Sequence, residues 1–174
     1  MTERTLPATP GQTVGPFFHY ALPYPGDNEL VPWGSPGSLT LRGRVYDGDG
    51  APLPDALLEI RQAGIDGVVP QVPGSLRRYG VPFTGWGRCA TDNAGEYRFS
   101  TVEPDASFIA VAVFARGLLD VLFTRIYLPG ATDSFLDSLD TAERDRMTAR
   151  REGDALVFDV RMQGEEQTVF LDFT

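Results

Sequence analysis

No stretch of this chain stays apolar for more than eight residues. The longest is Phe108-Ile-Ala-Val-Ala-Val-Phe-Ala115. It falls far short of the roughly 20 residues a membrane-crossing helix needs, and it is too short for a typical core helix. It fits a central strand covered on both faces. The other apolar segments are shorter, and 19 Gly and 14 Pro are spread along the whole length. A chain punctuated in this way makes many short strands joined by turns.

Leu39, Leu41 and Val45 alternate with Thr40, Arg42 and Arg44, the period of a half-buried strand. Asp47-Gly-Asp-Gly50 then turns the chain; it lacks the spaced ligands and downstream Glu of an EF-hand loop. Ala56, Leu58 and Ile60 mark a second strand, expected to pair with the first. Residues 64–84 read as a long loop. Residues 86–91 and 97–101, separated by the turn Asp92-Asn-Ala-Gly95, predict a hairpin. After residues 108–114 and 121–128, the residues Phe135, Leu136, Leu139, Ala142 and Met147 fall at helical spacing. Asp140 with Glu143 resembles a capping box. Residues 156–162 and 168–173 close the chain as two more strands. The expectation is an all-β fold, a β-sandwich of about eight strands, with a short helical excursion near residues 133–151. Residues 1–37, rich in Pro and Gly and without a sustained period, form an irregular N-terminal arm expected to pack on a partner chain. Residues 38–174 form a single domain, as a length of 174 residues suggests.

A net charge of −9 argues against nucleic acid and against an anionic membrane surface, both of which reward clustered cations. The first residues contain no apolar segment of signal-peptide type, and the single cysteine, Cys89, excludes an intrachain disulfide. Both point to a cytoplasmic protein.

The side chains exclude more chemistry than they offer. The chain has one histidine, His19, so a common zinc site or a facial triad of two His and a carboxylate cannot be built from it. There is no Gly-x-Ser-x-Gly elbow and no phosphate-binding glycine loop. Arg116 ends the apolar strand and precedes Gly117, which sends its guanidinium out at a rim. There it either grips a carboxylate-bearing ligand bidentately or makes a structural ion pair. Thr13-Val-Gly-Pro16 is a constrained segment in which Gly15, held extended or at positive φ by Pro16, lets another backbone or a ligand approach, or simply makes a turn. Cys89 reads as a small buried hydrophobe.

Thr9-Pro-Gly-Gln-Thr-Val-Gly-Pro-Phe-Phe-His19, Gly43-Arg-Val-Tyr-Asp-Gly-Asp-Gly50, Ala56-Leu-Leu-Glu-Ile-Arg-Gln62 and Gly87-Arg-Cys-Ala-Thr-Asp92 stand in that order. With Phe114-Ala-Arg-Gly117, Thr124-Arg-Ile-Tyr127 and Phe158-Asp-Val-Arg-Met-Gln-Gly164, the set resembles the intradiol ring-cleaving dioxygenases over nearly the whole chain. Its later segments are most similar to the α chains of the two-chain members. That family holds ferric iron with two tyrosines and two histidines, the latter as His-x-His on the strand that here carries Phe108 and Ala110. The loop before it, which bears a ligand tyrosine in β chains, is cut here to Glu103-Pro-Asp105. The resemblance therefore implies a chain with no metal ligand and no activity alone. It would pair with a homologous β subunit that carries Fe(III), within a higher-order hetero-oligomer. Protocatechuate, bound through its hydroxyls, would be opened by O2 to 3-carboxy-cis,cis-muconate. Thr13, Gly15 and Pro16 would help to shape the pocket, and Arg116 would lie near the substrate carboxylate. The rival expectation is a binding or structural β-sandwich module that kept the fold without the enzyme.

Overall fold

The computed structural model describes residues 9–71 and 83–173. The first eight residues of the arm and the middle of the loop expected over 64–84 lie outside them. Among the described residues, nine strands form two sheets that face each other across one core. No helix among them is long and apolar enough to cross a membrane.

The first sheet centres on β1 (Ser38–Tyr46), which pairs antiparallel with β4 (Glu96–Val102) on one side. On its other side it pairs parallel with β8 (Ala155–Val157) and, further along, with β9 (Val160–Arg161); β7 (Arg150–Glu152) completes that edge. The second sheet is antiparallel throughout, in the order β3 (Trp86–Ala90), β2 (Leu57–Arg61), β5 (Phe108–Phe114), β6 (Leu122–Tyr127). Leu41, Val45 and Phe99 from the first sheet meet Leu58, Val113 and Ile126 from the second, all six fully buried. Alternation along the strands explains this, since every second side chain of each faces the opposing sheet.

Three expectations change. β1 and β2 do not pair but lie in different sheets. The segment from β3 to β4 is not a hairpin either. Its turn, closed by the Gly95 amide on the Asp92 carbonyl at 2.9 Å, carries the chain from one sheet to the other. And β5 is not covered on both faces, because Ile109, Val111 and Val113 are buried while Phe108, Ala110, Ala112 and Phe114 are only partly so.

The C-terminal strands are also shorter than expected. The strand anticipated at 156–162 divides into β8 and β9, because the Asp159 carboxylate takes the Arg44 amide at 2.9 Å, where a ladder partner would otherwise stand. Residues 168–173 make one bridge, Leu171 to Phe123; the Thr124 hydroxyl ties them to β6 by donating to the Val169 carbonyl at 2.8 Å, and Thr168 ties them to β9, its amide donating to the Arg161 carbonyl at 3.0 Å.

Two excursions lie at the ends of the second sheet's outer face. Near Phe114, the arm makes a single helical turn, α1 (Phe18–Ala21), whose Phe18 ring lies 5.4 Å from that of Phe114. Near Phe108, the short helices α2 (Ser134–Ser138) and α3 (Thr141–Met147) pack Leu136 and Met147 against Tyr127. The α3 capping box is formed as the sequence predicts, with Asp140 and Glu143 each bonding the other's backbone amide. Later arm residues join the domain itself: Leu30 is buried in the core, its amide donates to the Ser100 carbonyl at 2.8 Å, and it fills the space beside Gly87.

Candidate functional site

The register of the second sheet decides where Arg116 goes. Leu57 pairs with Phe114. Continuing that antiparallel register two residues past both strand ends brings Asp55 opposite Arg116. The two side chains pair there, the Arg116 Nε–H donating to an Asp55 carboxylate oxygen. Asp55 is largely enclosed, its side chain 10% exposed, whereas that of Arg116 is 58% exposed. The structure thus contains the ion pair, and it also leaves the guanidinium at the rim.

Gly117, at φ 89°, turns the chain immediately after Arg116. The N-terminal arm is fastened at this turn, since the Gly117 amide donates to the Thr13 hydroxyl at 2.7 Å. Gly11 lies so close to Leu119 that a Cβ there would stand 3.2 Å from the Leu119 Cβ. Thr13 and Arg116 are therefore brought into one site by a bond to the adjacent residue. Gly15 and Pro16 follow at the exposed turn into α1, where the Phe18 amide donates to the Gly15 carbonyl at 3.1 Å. The hydrogen bonding of this turn stays local. Gly15 is not at positive φ, and a Cβ on it would meet nothing within 4 Å, so nothing in this chain requires glycine there.

Between the arm and the helical excursion, the outer face of the second sheet opens into a groove of about 380 Å³. Ala110 and Ala112 line its floor, with Trp86, Phe108 and Phe123 around them. Arg125, whose place in the sequence does not mark it as a site residue, organises its far end. Its guanidinium lies 4.3 Å from the Phe108 ring centre and 5.1 Å from that of Phe135, and it donates to the Tyr127 hydroxyl at 3.0 Å. Tyr127 in turn donates to Asp133 at 2.9 Å. The motif Thr124-Arg-Ile-Tyr127 was the available signal, but which groups its Arg meets depends on Phe108 across the strand pair and on where the chain after β6 places Asp133 and Phe135.

The residues at this place do not fit a ferric ion. A phenyl ring at 108 and a methyl group at 110 offer no lone pair, and the fixed positive charge of Arg125 would repel a trivalent cation. Among the described residues, no three His, Cys, Asp or Glu side chains gather in a metal-holding group. Nor does Cys89 supply a nucleophile, since burial pushes its thiol up to about 11, leaving it protonated near neutral pH.

A family model described as Dioxygenase matches residues 15–122. The protocatechuate 3,4-dioxygenase alpha chain of Burkholderia cepacia is 36% identical over 97% of this chain and 98% of its own length. The beta chain of the same organism's protocatechuate 3,4-dioxygenase is 32% identical over 75% of this chain and 66% of its own. Among solved structures, the dioxygenase domain of a dioxygenase carbohydrate-binding protein fusion from Streptomyces sp. SirexAA-E superposes with a TM-score of 0.58 at 27% identity, covering 90% of this chain and 98% of that one. A sandwich of this topology, matched by the family model over more than half of its length and by the alpha chain over nearly all of it, leaves one assignment: the chain belongs to the intradiol ring-cleaving dioxygenase family.

Proposed function

We propose that this chain is the subunit of a two-chain, cytoplasmic protocatechuate 3,4-dioxygenase that shapes the substrate pocket while a homologous β chain holds the iron. The observation that carries this reading is Arg116, a rim guanidinium with an open outer edge, beside an arm tethered by Thr13 and carrying a glycine whose smallness serves nothing in its own chain. Similarity to both alpha and beta chains supports two homologous folds built to pair. The single histidine and the Phe108, Ala110 and Arg125 surroundings support placing the metal in the partner. Fe(III) held there supplies activation of the bound catechol toward O2. The net reaction joins protocatechuate and both atoms of O2 into 3-carboxy-cis,cis-muconate, and the two new carboxyl groups release two protons near neutral pH.

This chain's residues bind and orient. Protocatechuate carries an ionised carboxylate near neutral pH, and a protein of net charge −9 repels it on average. A guanidinium at the pocket rim offsets that repulsion locally and fixes the ring's direction by two parallel N–H···O bonds. The turn at Gly15 and Pro16, which has no side-chain bulk at its first residue, lines the partner's cleft and excludes water without crowding the ring. Two such pairs or more associate into a larger hetero-oligomer through the remaining apolar surface.

The test is purification through an affinity tag on this chain from its native host, followed by an iron assay and a visible spectrum. A coloured complex containing a second homologous chain, with iron lost when that chain is stripped away, is expected. A lone, colourless, iron-free protein overturns the reading and favours a binding module instead.

A further inference from the structure

The structure assigns a second residue to carboxylate recognition, and it rests on the reading of Arg116 just given: we propose that Asp55 is the positioning residue that holds Arg116 ready for the substrate carboxylate. A guanidinium has two edges that can meet a carboxylate bidentately, one formed by Nε and an Nη, the other by the two Nη groups. Asp55 engages the Nε–H. Among the described residues the two Nη groups have no hydrogen-bond partner, so the end-on edge is left facing outward from an exposed side chain.

Asp55 is itself held from behind. Thr91, buried, donates its hydroxyl to the Leu53 carbonyl at 2.7 Å and accepts the Ala56 amide at 3.1 Å. The Thr91 amide then closes on the Ala56 carbonyl at 2.9 Å. The residues on either side of Pro54 and Asp55 are thereby clamped to the turn that follows β3. From the core outward the order is a buried threonine, a clamped backbone, an enclosed carboxylate and an exposed guanidinium. An arginine at the end of a strand would otherwise sample many rotamers, and freezing them would be charged against substrate binding. With Nε anchored, that ordering is complete before the substrate arrives. The negative charge of Asp55 weakens the pull on a distant anion, so the benefit lies in direction and not in field.

The test uses the enzyme assembled with its iron-carrying partner and reads the ratio of kcat/KM for protocatechuate to that for catechol, which has no carboxylate. In Asp55→Ala the ratio is expected to fall about tenfold, the scale of ordering one long side chain, mostly through KM for protocatechuate. In the Arg116→Ala background the same change is expected to leave the ratio where Arg116→Ala alone puts it. Asp55→Asn, which keeps an oxygen for Nε–H but not the charge, serves if the alanine variant fails to assemble and is expected to lower the ratio by a smaller factor. If Arg116→Ala lowers the ratio and neither Asp55 variant does, or either raises it, Asp55 only joins two strands and the proposal is overturned. If Arg116→Ala leaves the ratio unchanged, the reading of Arg116 fails and this one with it.

Discussion

At Tyr127 a single hydroxyl ties a strand to the helical excursion, and its protonation state has a direction that can be worked out. The side chain is fully buried, accepts from Arg125 and donates to Asp133, which also caps α2 by accepting the Leu136 amide at 2.7 Å. Burial pushes the tyrosine up; the Arg125 hydrogen bond pulls it back, and the Asp133 carboxylate adds to the rise. For Asp133, burial acts upward but is outweighed by the Leu136 amide, the Tyr127 hydroxyl and the Arg125 charge, which hold it below its ordinary 3.8. A carboxylate lowered on folding contributes stability that is present above 3.8 and is lost as the pH falls through its depressed value. A raised tyrosine contributes stability present below its ordinary 10.0 and lost as the pH climbs through its folded value. Tyr127→Phe is therefore expected to cost about 1–2 kcal/mol near neutral pH. Urea titrations across the acid range should show the gap between the two proteins closing below 3.8; a gap of constant size would mean that the hydroxyl does not work through the ionised Asp133.

Among the elements, the sequence tells strands from loops better than it tells which strands are neighbours. Alternation at Leu39, Leu41 and Val45 marks β1, but the same alternation suits any partner and does not reveal that β2 lies in the other sheet. The Asp92 to Gly95 turn has the residues of a hairpin and instead spans the two sheets, because turn chemistry fixes a reversal and not the plane in which it occurs. Arg116 was legible from its place at the end of an apolar strand, whereas Asp55 becomes visible only when the β2–β5 register is known. Two glycines show the difference between fold and site. A Cβ on Gly43 would stand 1.7 Å from the Phe158 carbonyl oxygen, which Tyr97 already bonds at 2.6 Å. Gly43→Ala must push β1 away from the segment joining β8 and β9, at an expected cost of roughly 3 kcal/mol in urea unfolding. Gly15→Ala meets nothing in its own chain and is expected to leave that unfolding midpoint in place. In the assembled enzyme it should raise KM for protocatechuate several-fold, and an unchanged KM would remove Gly15 from the pocket.

On the scale of the whole molecule, charge and apolar surface pull in opposite directions. A net charge of −9 keeps identical copies apart at low ionic strength. Against this, Phe17 is 73% exposed and Tyr20 80% exposed on the arm, with Leu119 exposed in the loop where Gly11 is seated. The alanine-floored groove adds a second open apolar area on the same sheet. Scattered apolar side chains are ordinary on a protein surface, but large aromatic ones gathered beside a tethered arm resemble the centre of an interface lacking its partner. The repulsion is screened beyond about 8 Å at physiological salt, whereas burial of apolar area is not weakened by salt. The chain produced alone is therefore expected to self-associate, and more so as salt is raised. Sedimentation velocity at micromolar concentration should give species heavier than the 19.0 kDa monomer, growing with added sodium chloride. Co-expression with the iron-carrying homologue should replace them with one defined hetero-oligomer, because the same apolar surface is then consumed. A chain that stays monomeric at tens of micromolar in high salt would show that these aromatics rest comfortably in water and do not mark an interface.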